Sequence, residues 1–234
     1  MRYTWAAATH VGRVRSANQD SVHPATAGSG ESLLGVVADG MGGAAGGEVA
    51  SATALDAVLA SPEPGAARIG AANRAVHALA TARPELAGMG TTVTLADLDA
   101  DGTGRFAHVG DSRAYLWRDD ELTQLTQDHT VVAEWLAVGA ITEDEAKTHP
   151  RRGMLTRSVG VAPSVAVDEF DVELAPGDRL LLCSDGLNGM VRDDRIAALL
   201  STGTPEEAAW TLVEAANAAG GHDNITVLVV DVER

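Results

Sequence analysis

Short runs of apolar and β-branched residues recur along the chain, each bounded by Gly, Asp or Asn. Such runs are typical of β-strands, because branched side chains pack well on a pleated surface. Three of them, at 34–38, 180–183 and 227–230, are almost wholly apolar, which indicates strands buried on both faces. The predicted strands are Tyr3–Thr9, Leu33–Ala38, Thr91–Leu98, Arg105–Trp117, Asp178–Cys183 and Asn224–Val232.

Alanine-rich stretches between these runs predict helices. Pro84 would stop the second of them, because proline cannot continue a helix. Thr204 is placed to cap the last one, with Pro205 in the first helical position, where proline is tolerated. The predicted helices are Gly47–Ala60, Ala66–Ala82, Asp193–Leu200 and Pro205–Ala218.

Residues 128–160 depart from this pattern. Two short helical patterns, Val131–Val138 and Glu143–Thr148, precede a polar stretch that is rich in arginine. We interpret the segment as a flap on the main body and not as a separate domain. Since the chain has no internal repeat and no low-complexity linker, we predict a single αβ domain over residues 1–234, with the flap at about 128–160.

Composition and charge restrict the partners. Apolar residues make up 45% of the 234 residues but aromatics only 3%, so Ala, Val and Leu must build the core. The net charge of −16 disfavours nucleic acid and anionic membranes as partners, because like charges repel. A phosphorylated substrate would be repelled too, unless bound cations reversed the field locally.

Cysteine content and the chain ends bear on location. Cys183 is the only cysteine, so an intramolecular disulfide is excluded, which fits a reducing compartment. The first ten residues lack the apolar stretch of a signal peptide, and no run approaches the ~18 apolar residues of a transmembrane helix. We therefore expect a cytoplasmic protein without a leader, and without a tail after Arg234.

Aspartates at the predicted strand ends suggest the chemistry. Asp39, Asp111 and Asp185 each follow an apolar run and precede Gly or Ser, Asp223 comes just before the last run, and Asp20 is a fifth candidate. Carboxylates brought together repel one another, and a hard divalent cation that prefers oxygen ligands removes the repulsion. Two ions ~3.5–4 Å apart can activate a water and bind a phosphoryl oxygen.

Any one of these aspartates has an ordinary structural explanation, since Asp is common in turns and at helix caps. Five in this arrangement favour metal binding. Asp97, Asp99 and Asp101 are the contrast: we predict that they are solvated turn residues, because no later Glu completes a calcium loop.

The sequence lacks the motif spacings that other kinds of active site require. Cys183 has Gly189, and not Arg, six residues on, which excludes a thiolate phosphatase. The glycine-rich run 40–47 does not end in Gly-Lys-Ser/Thr, and neither Gly-x-Ser-x-Gly nor His-Glu-x-x-His occurs. We expect His10 and His77 to be structural or exposed.

Six motifs, in order along nearly the whole chain, resemble those of the bacterial branch of the metal-dependent protein phosphatases, the type 2C or PPM family. The family's fold is an α/β (α+β) sandwich of two central, mainly antiparallel sheets flanked by helices, and the resemblance implies it here. The motifs are Gly12-Arg-Val-Arg-Ser-Ala-Asn-Gln-Asp20, Val37-Ala-Asp-Gly-Met-Gly-Gly43, Gly88-Met-Gly-Thr-Thr92, His108-Val-Gly-Asp-Ser-Arg113, Leu182-Cys-Ser-Asp-Gly186 and Gly221-His-Asp-Asn-Ile-Thr226.

The resemblance also implies roles for the carboxylates. Asp39 would bridge two core ions, Mn²⁺ or Mg²⁺, and a third, weaker ion is implied as well. The other implied metal ligands are the Gly40 carbonyl, Asp185, Asp223, Asp20 through waters, and Asp111 for the third ion. Asn224 is expected to orient its neighbour.

Arg15 resembles the phosphate-binding arginine of the family. Its guanidinium matches two phosphate oxygens and does not titrate. Arg13 is the alternative, since alternation along an extended segment would point both the same way. Met41 replaces a histidine that is a proposed general acid in eukaryotic relatives, so the acid is unassigned. Gly153 and the arginines around it are candidate substrate contacts in the flap.

The resemblance implies a hydrolase, a serine/threonine protein phosphatase of bacterial signalling that counteracts kinases. A water bridging the two ions would attack phosphorus, with Arg15, Asp39 and Asp185 as the catalytic residues. The expected partners are phosphorylated proteins, that is, Ser/Thr kinases or their substrates, and the expected state is a monomer. Two alternatives stay open: a pseudophosphatase that only binds phosphoproteins, and a hydrolase of small phosphate esters.

Overall fold

The structure, a computed structural model, describes residues 1–43 and 46–234. Its strands all pair in antiparallel fashion within these residues. The strands are β1 Arg2–His10, β2 Asp20–His23, β3 Gly28–Gly30, β4 Leu33–Met41, β5 Gly90–Thr91, β6 Val93–Leu98, β7 Thr103–Val109, β8 Arg113–Arg118, β9 Glu121–Gln124, β10 Asp168–Glu173, β11 Arg179–Cys183 and β12 Ile225–Glu233.

Two sheets form the centre of the fold. The first has the strand order β3-β1-β12-β11-β8-β9, and the second has the order β10-β7-β6-β4-β2, with β5 paired to β4. Apolar side chains from both sheets, among them Tyr3, Val37, Phe106 and Leu182, fill the space between them. The predicted sandwich of two antiparallel sheets is therefore confirmed.

Helices cover the outer faces of the sandwich. Helices α1 and α2 pack on the second sheet, and α6 and α7 pack on the first. The Thr204 hydroxyl accepts a hydrogen bond from the Glu207 amide, and the Glu207 carboxylate accepts one from the Thr204 amide. The predicted cap is therefore confirmed. The helices are α1 Gly43–Ala60, α2 Ala66–Ala82, α3 Val131–Ala137, α4 Glu143–Thr148, α5 Asp185–Asn188, α6 Asp193–Leu200 and α7 Pro205–Ala218.

The prediction of one strand over Arg105–Trp117 is wrong. The segment forms β7 and β8, which lie in different sheets, and residues 110–112 carry the chain from one sheet to the other. Gly110 has a φ of 118°, a conformation that L side chains rarely adopt. Apolar residues before Gly110 and after Arg113 hid this crossing, because the sequence analysis joined them into one strand across residues 110–113.

Smaller differences follow from weak local patterns. The predicted strand Thr91–Leu98 is split at Thr92, and α1 begins at Gly43, four residues before the prediction. Asp97 lies in β6 and faces Arg68, so it is not a turn residue. The sequence analysis also missed the short elements β2, β3, β9, β10 and α5, which lack the long apolar runs that it relied on.

The flap leaves and rejoins the body at neighbouring points. A bridge between Thr130 and Leu155 ties its two stems, and a bridge between Thr91 and Val159 joins its end to the second sheet. Among the described residues, no helix combines the length and apolarity needed to span a bilayer.

Candidate metal centre

The five predicted aspartates come from five segments that meet at one end of the sandwich. Asp20 begins β2 and lies opposite Asp39 in the β2–β4 register. Asp111 lies in the crossing between β7 and β8, Asp185 begins α5, and Asp223 precedes β12. Asp39 is not at a strand end, because β4 continues to Met41.

Close backbone contacts bring these segments together. A Cβ on Gly40 would overlap the carbonyl oxygen of Gly47, and a Cβ on Gly186 would overlap that of Asn224. Only glycine allows this approach at either position. Glycine at these two positions therefore allows close backbone packing. The packing keeps Asp39 near Gly47 and Asp185 near Asn224.

The Asp39 backbone is held by two threonines that the sequence analysis quoted only as part of a motif. The Asp39 amide donates to the Thr92 hydroxyl at 2.9 Å, and the Asp39 carbonyl accepts from the Thr92 amide and the Thr91 hydroxyl, each at 2.8 Å. Both threonines are buried. They fix the strand without using the carboxylate, which is left free for other partners.

Burial and mutual repulsion raise the pKa values of the carboxyls. Burial, together with the neighbouring Asp185 charge, raises the pKa of Asp20 to about 6 and that of Asp111 to about 8. The pKa of Asp39 lies well above its usual range, first through burial and then through Asp20, Asp185, Asp111 and Asp223. Burial and the Asp223 charge raise the pKa of Asp185 as well.

Two buried carboxylate oxygens, Oδ1 of Asp20 and Oδ1 of Asp185, have no hydrogen-bond partner in the described structure. The other Asp20 oxygen accepts from the Ser184 hydroxyl at 2.8 Å. A buried carboxylate without a partner is costly unless it binds a proton or a cation. The unpartnered oxygens and the raised pKa values thus fit a site for hard divalent cations.

The carboxylates do not form a closed cage. Among the described residues, no three His, Cys, Asp or Glu side chains are posed to hold one metal ion by themselves. This does not conflict with a site of hydrated ions, because Mg²⁺ and Mn²⁺ take backbone carbonyls and waters alongside one or two carboxylates. Gly40 lines the same cavity as Asp39, which fits the predicted role of its carbonyl.

A cavity of about 620 Å³ opens over these residues. Asp39, Asp111, Asp185 and Asp223 line it, whereas Asp20 lies behind them. The flap contributes Gly153, the residue named above as a candidate substrate contact. The remaining lining residues are Arg15, Ser16, Ala17, Gln19, Gly40, Met41, Gly42, Gly43, Thr92, Leu155, Ser158 and Val161.

Arg15 lies at the mouth of the cavity and donates to the Asp223 carboxylate at 2.7 Å. Its side chain is 53% exposed, so an anion can reach the guanidinium. The bond to Asp223 raises the already high pKa of Arg15. Arg13 does not line the cavity, and residues 12–14 form a turn, so the expectation of an extended segment with parallel arginines is wrong.

Asn224 holds the loop that carries Arg15. Its side-chain amide donates to the carbonyls of Val11 and Ala17 at 2.9 Å, and its oxygen accepts from the Gln19 amide at 2.8 Å. The Asn224 backbone amide donates to the neighbouring Asp223 carboxylate at 2.9 Å, in addition to the bond from Arg15. Asn224 therefore contacts its neighbour through the backbone amide, and its side chain orients the Arg15 loop, a role that the sequence did not indicate.

The other reactive side chains are accounted for structurally. Burial raises the pKa of the Cys183 thiol to about 12, so it is not a thiolate nucleophile. Arg157 is bound to Asp168 at 2.6 Å, and the Arg151 guanidinium lies 6.0 Å from the Trp135 ring. His10 accepts from the Gly12 amide, and His77 contacts the Gly160 carbonyl.

Comparison with known proteins identifies the class. Residues 29–233 match the family model described as Stage II sporulation protein E, or SpoIIE. The chain belongs to this SpoIIE-type (PPM) family of protein phosphatases, which confirms the resemblance seen in the sequence.

The similar proteins are bacterial. The serine/threonine protein phosphatase PstP of Mycobacterium tuberculosis is 42% identical over 97% of this chain, and this chain spans only 45% of the length of PstP. The serine/threonine phosphatase stp of Listeria monocytogenes is 38% identical over 95% of this chain and 93% of stp.

Solved structures share the fold over the whole chain. The crystal structure of Mycobacterium tuberculosis PstP superposes with a TM-score of 0.91 at 40% identity, covering 100% of both chains. The catalytic domain of PstP in complex with two manganese ions gives a TM-score of 0.86 at 39% identity, again over 100% of both chains.

Proposed function

We propose that this chain is a divalent-metal-dependent phosphatase that hydrolyses phosphoserine and phosphothreonine in proteins and counteracts Ser/Thr kinases. One observation supports it most: buried carboxylates with raised pKa values and unpartnered oxygens meet in one cavity beside an exposed guanidinium. The carboxylates suit divalent cations, and the guanidinium suits a phosphoryl group. The similar phosphatases agree with this assignment.

The carboxylates would hold the ions, Mn²⁺ or Mg²⁺. Asp39 would be shared by two core ions, together with the Gly40 carbonyl, Asp185 and Asp223. Asp20 would act through waters, and Asp111 would serve a third, more weakly held ion. Bound ions would lower the pKa of a water and neutralise charge on the phosphoryl oxygens.

Arg15 would bind two phosphoryl oxygens, since a guanidinium fork matches them and stays charged at every working pH. Asp223 aims the guanidinium across the cavity mouth, and Asn224 fixes the loop that carries it.

Met41 lines the cavity but cannot donate a proton, so a different group must protonate the leaving alkoxide. Buried Cys183 takes no part in this mechanism.

The substrate would be a phosphoprotein and not a small ester. The cavity is open between the Arg15 loop and the flap, and Gly153, Leu155 and Val161 extend it on the flap side. Met154 and Val161 are half exposed there, which suits contacts with a peptide. We also propose that residues 1–234 form a single catalytic domain, monomeric and cytoplasmic, with a flap at about 128–160.

Hydrolysis of a phosphothreonine peptide with and without Mn²⁺ tests the proposal, with p-nitrophenyl phosphate as the small ester. We expect metal-dependent turnover, with a higher kcat/KM for the peptide. Cys183→Ser should keep full activity. Tight binding of the phosphopeptide with no turnover in Mn²⁺ or Mg²⁺ would favour the pseudophosphatase, and a preference for the small ester would favour the other alternative.

A further inference from the structure

His129 forms two hydrogen bonds with Gly110, the residue that precedes Asp111. The side chain lies at the base of the flap and is only 1% exposed. Its Nδ1 accepts from the Gly110 amide at 3.0 Å, and its own amide donates to the Gly110 carbonyl at 2.8 Å. Both backbone groups of Gly110 are thus held by one residue from another segment.

The other side of the ring is tied to the far stem of the flap. Because Nδ1 accepts, the ring proton is on Nε2, which contacts the Asp168 carboxylate at 3.0 Å. Arg157 donates to the second Asp168 oxygen at 2.6 Å, and the Thr156 amide donates to the His129 carbonyl at 2.9 Å. One imidazole therefore connects both flap stems with the crossing between the sheets.

Gly110 has no side chain that could anchor the crossing between β7 and β8. Its φ of 118° requires glycine, and an added Cβ would clash with Thr92, so a side chain cannot anchor it. The next residue is Asp111, which lines the cavity. The imidazole holds the peptide between residues 109 and 110, and the His129 backbone amide holds the peptide between residues 110 and 111, so both peptides that set the direction of the Asp111 carboxylate are bound by His129.

We propose that His129 is a positioning residue whose ring nitrogen Nδ1, bound to the Gly110 amide, aims the Asp111 carboxylate into the cavity. The inference rests on the proposed function, in which Asp111 binds the weaker ion. Partners of this kind, one contact removed from the metal, typically change its affinity by ~10–100-fold. The tightly held ions, whose ligands lie in other segments, should not respond to His129.

Two substitutions of equal chemistry separate the contacts of the ring. Asparagine places an amide oxygen near the position of Nδ1 and keeps the bond to Gly110, and glutamine places an amide nitrogen near Nε2 and keeps the bond to Asp168. Both remove the ring and leave space in a buried site. Asp178→Asn is the control, since Asp178 is buried and pairs with Arg118 before β11, at the opposite end from Asp185.

Mn²⁺ titration by calorimetry, beside phosphopeptide turnover per folded molecule, is the test. We expect His129→Gln to weaken the lower-affinity ion at least ~10-fold and to lower kcat, with the tight ions unchanged. His129→Asn should stay within about 3-fold of wild type, as should the control.

Equal weak-ion affinity in wild type and His129→Gln would overturn the positioning role. Equal losses in His129→Gln and His129→Asn would overturn it too, because they would point to ring volume alone, and so would a wild type that binds no weaker ion. Metal-independent hydrolysis by wild type would instead refute the proposed function, whatever the Mn²⁺ titration shows.

Discussion

At the scale of single residues, the site is a set of carboxylates that the fold keeps together at a cost. Burial and repulsion raise the pKa values of Asp20 and Asp111 to about 6 and about 8. An unfolded chain has no such repulsion, so the folded state binds more protons than the unfolded state between about pH 4 and 8. The free energy of unfolding must then fall as the pH rises through this window.

Metal removal should make this pH dependence visible. In excess chelator, we expect the melting temperature to fall between about pH 5 and pH 8, by about 2–4 °C for each kcal/mol. Asp111→Asn, which stays neutral, should flatten the upper part of the fall, and saturating Mn²⁺ should abolish it. Thermal unfolding by circular dichroism checks this, and a chelated protein that gains stability over the same range would contradict it.

Arg15 carries the phosphate contact in this account. Arg15→Ala should raise KM for a phosphothreonine peptide by about 10–100-fold, which corresponds to ~1.5–3 kcal/mol for a charge-assisted contact. Arg15→Lys should recover part of the loss. Steady-state kinetics beside Mn²⁺ calorimetry provide the measurement. An unchanged KM with collapsed metal binding would show that Arg15 serves mainly to hold Asp223.

At the scale of elements, the site depends on how closely α5 approaches the loop before β12. Gly186→Ala would push the Asn224 carbonyl away and separate Asp185 from Asp223. We expect lower thermal stability and Mn²⁺ affinity reduced by ~10-fold or more. Gly70→Ala in the middle of α2, where the nearest atom is a flexible arginine end, is the control and should stabilise by ~0.5–1 kcal/mol. Unchanged metal binding in Gly186→Ala would refute this role.

The cap of α7 has a purely structural role. Thr204→Ala removes one partner of the capping box and should lower the free energy of unfolding by about 0.5–2 kcal/mol. Turnover per folded molecule should stay the same, because α7 packs on the outer face of the first sheet, away from the cavity. Urea denaturation and kinetics on the same samples would test this, and a drop in kcat alone would contradict it.

Sequence patterns predicted long elements well, and crossings between elements poorly. Helix α2 has the predicted bounds, because Pro84 and an alanine-rich run mark it locally. The break at Gly110 is a tertiary event: apolar residues lie on both sides of it, and only the pairing of β7 and β8 with different sheets reveals it. The proposed role of His129 could not be predicted from the sequence for the same reason, since its partners Gly110 and Asp168 are remote along the chain.

At the scale of the whole molecule, three of the five aspartates were recognisable from their places after apolar runs, and their convergence was predicted, but the register and burial that produce it were not. The register that sets Asp20 opposite Asp39 and the burial that leaves their repulsion unscreened are properties of the assembled sandwich. The same assembly answers the charge of −16: bound cations would turn one end of an acidic protein into a site for phosphate.

The most direct test of the central claim is Mn²⁺ binding and phosphopeptide turnover measured together in wild type and Asp39→Ala. We expect two tightly bound ions in wild type. In the variant, we expect loss of both ions and a fall in turnover of about a hundred-fold or more, roughly 2.7 kcal/mol of barrier, with the fold intact by circular dichroism. Unaltered binding and unaltered turnover in a folded Asp39→Ala protein would contradict it.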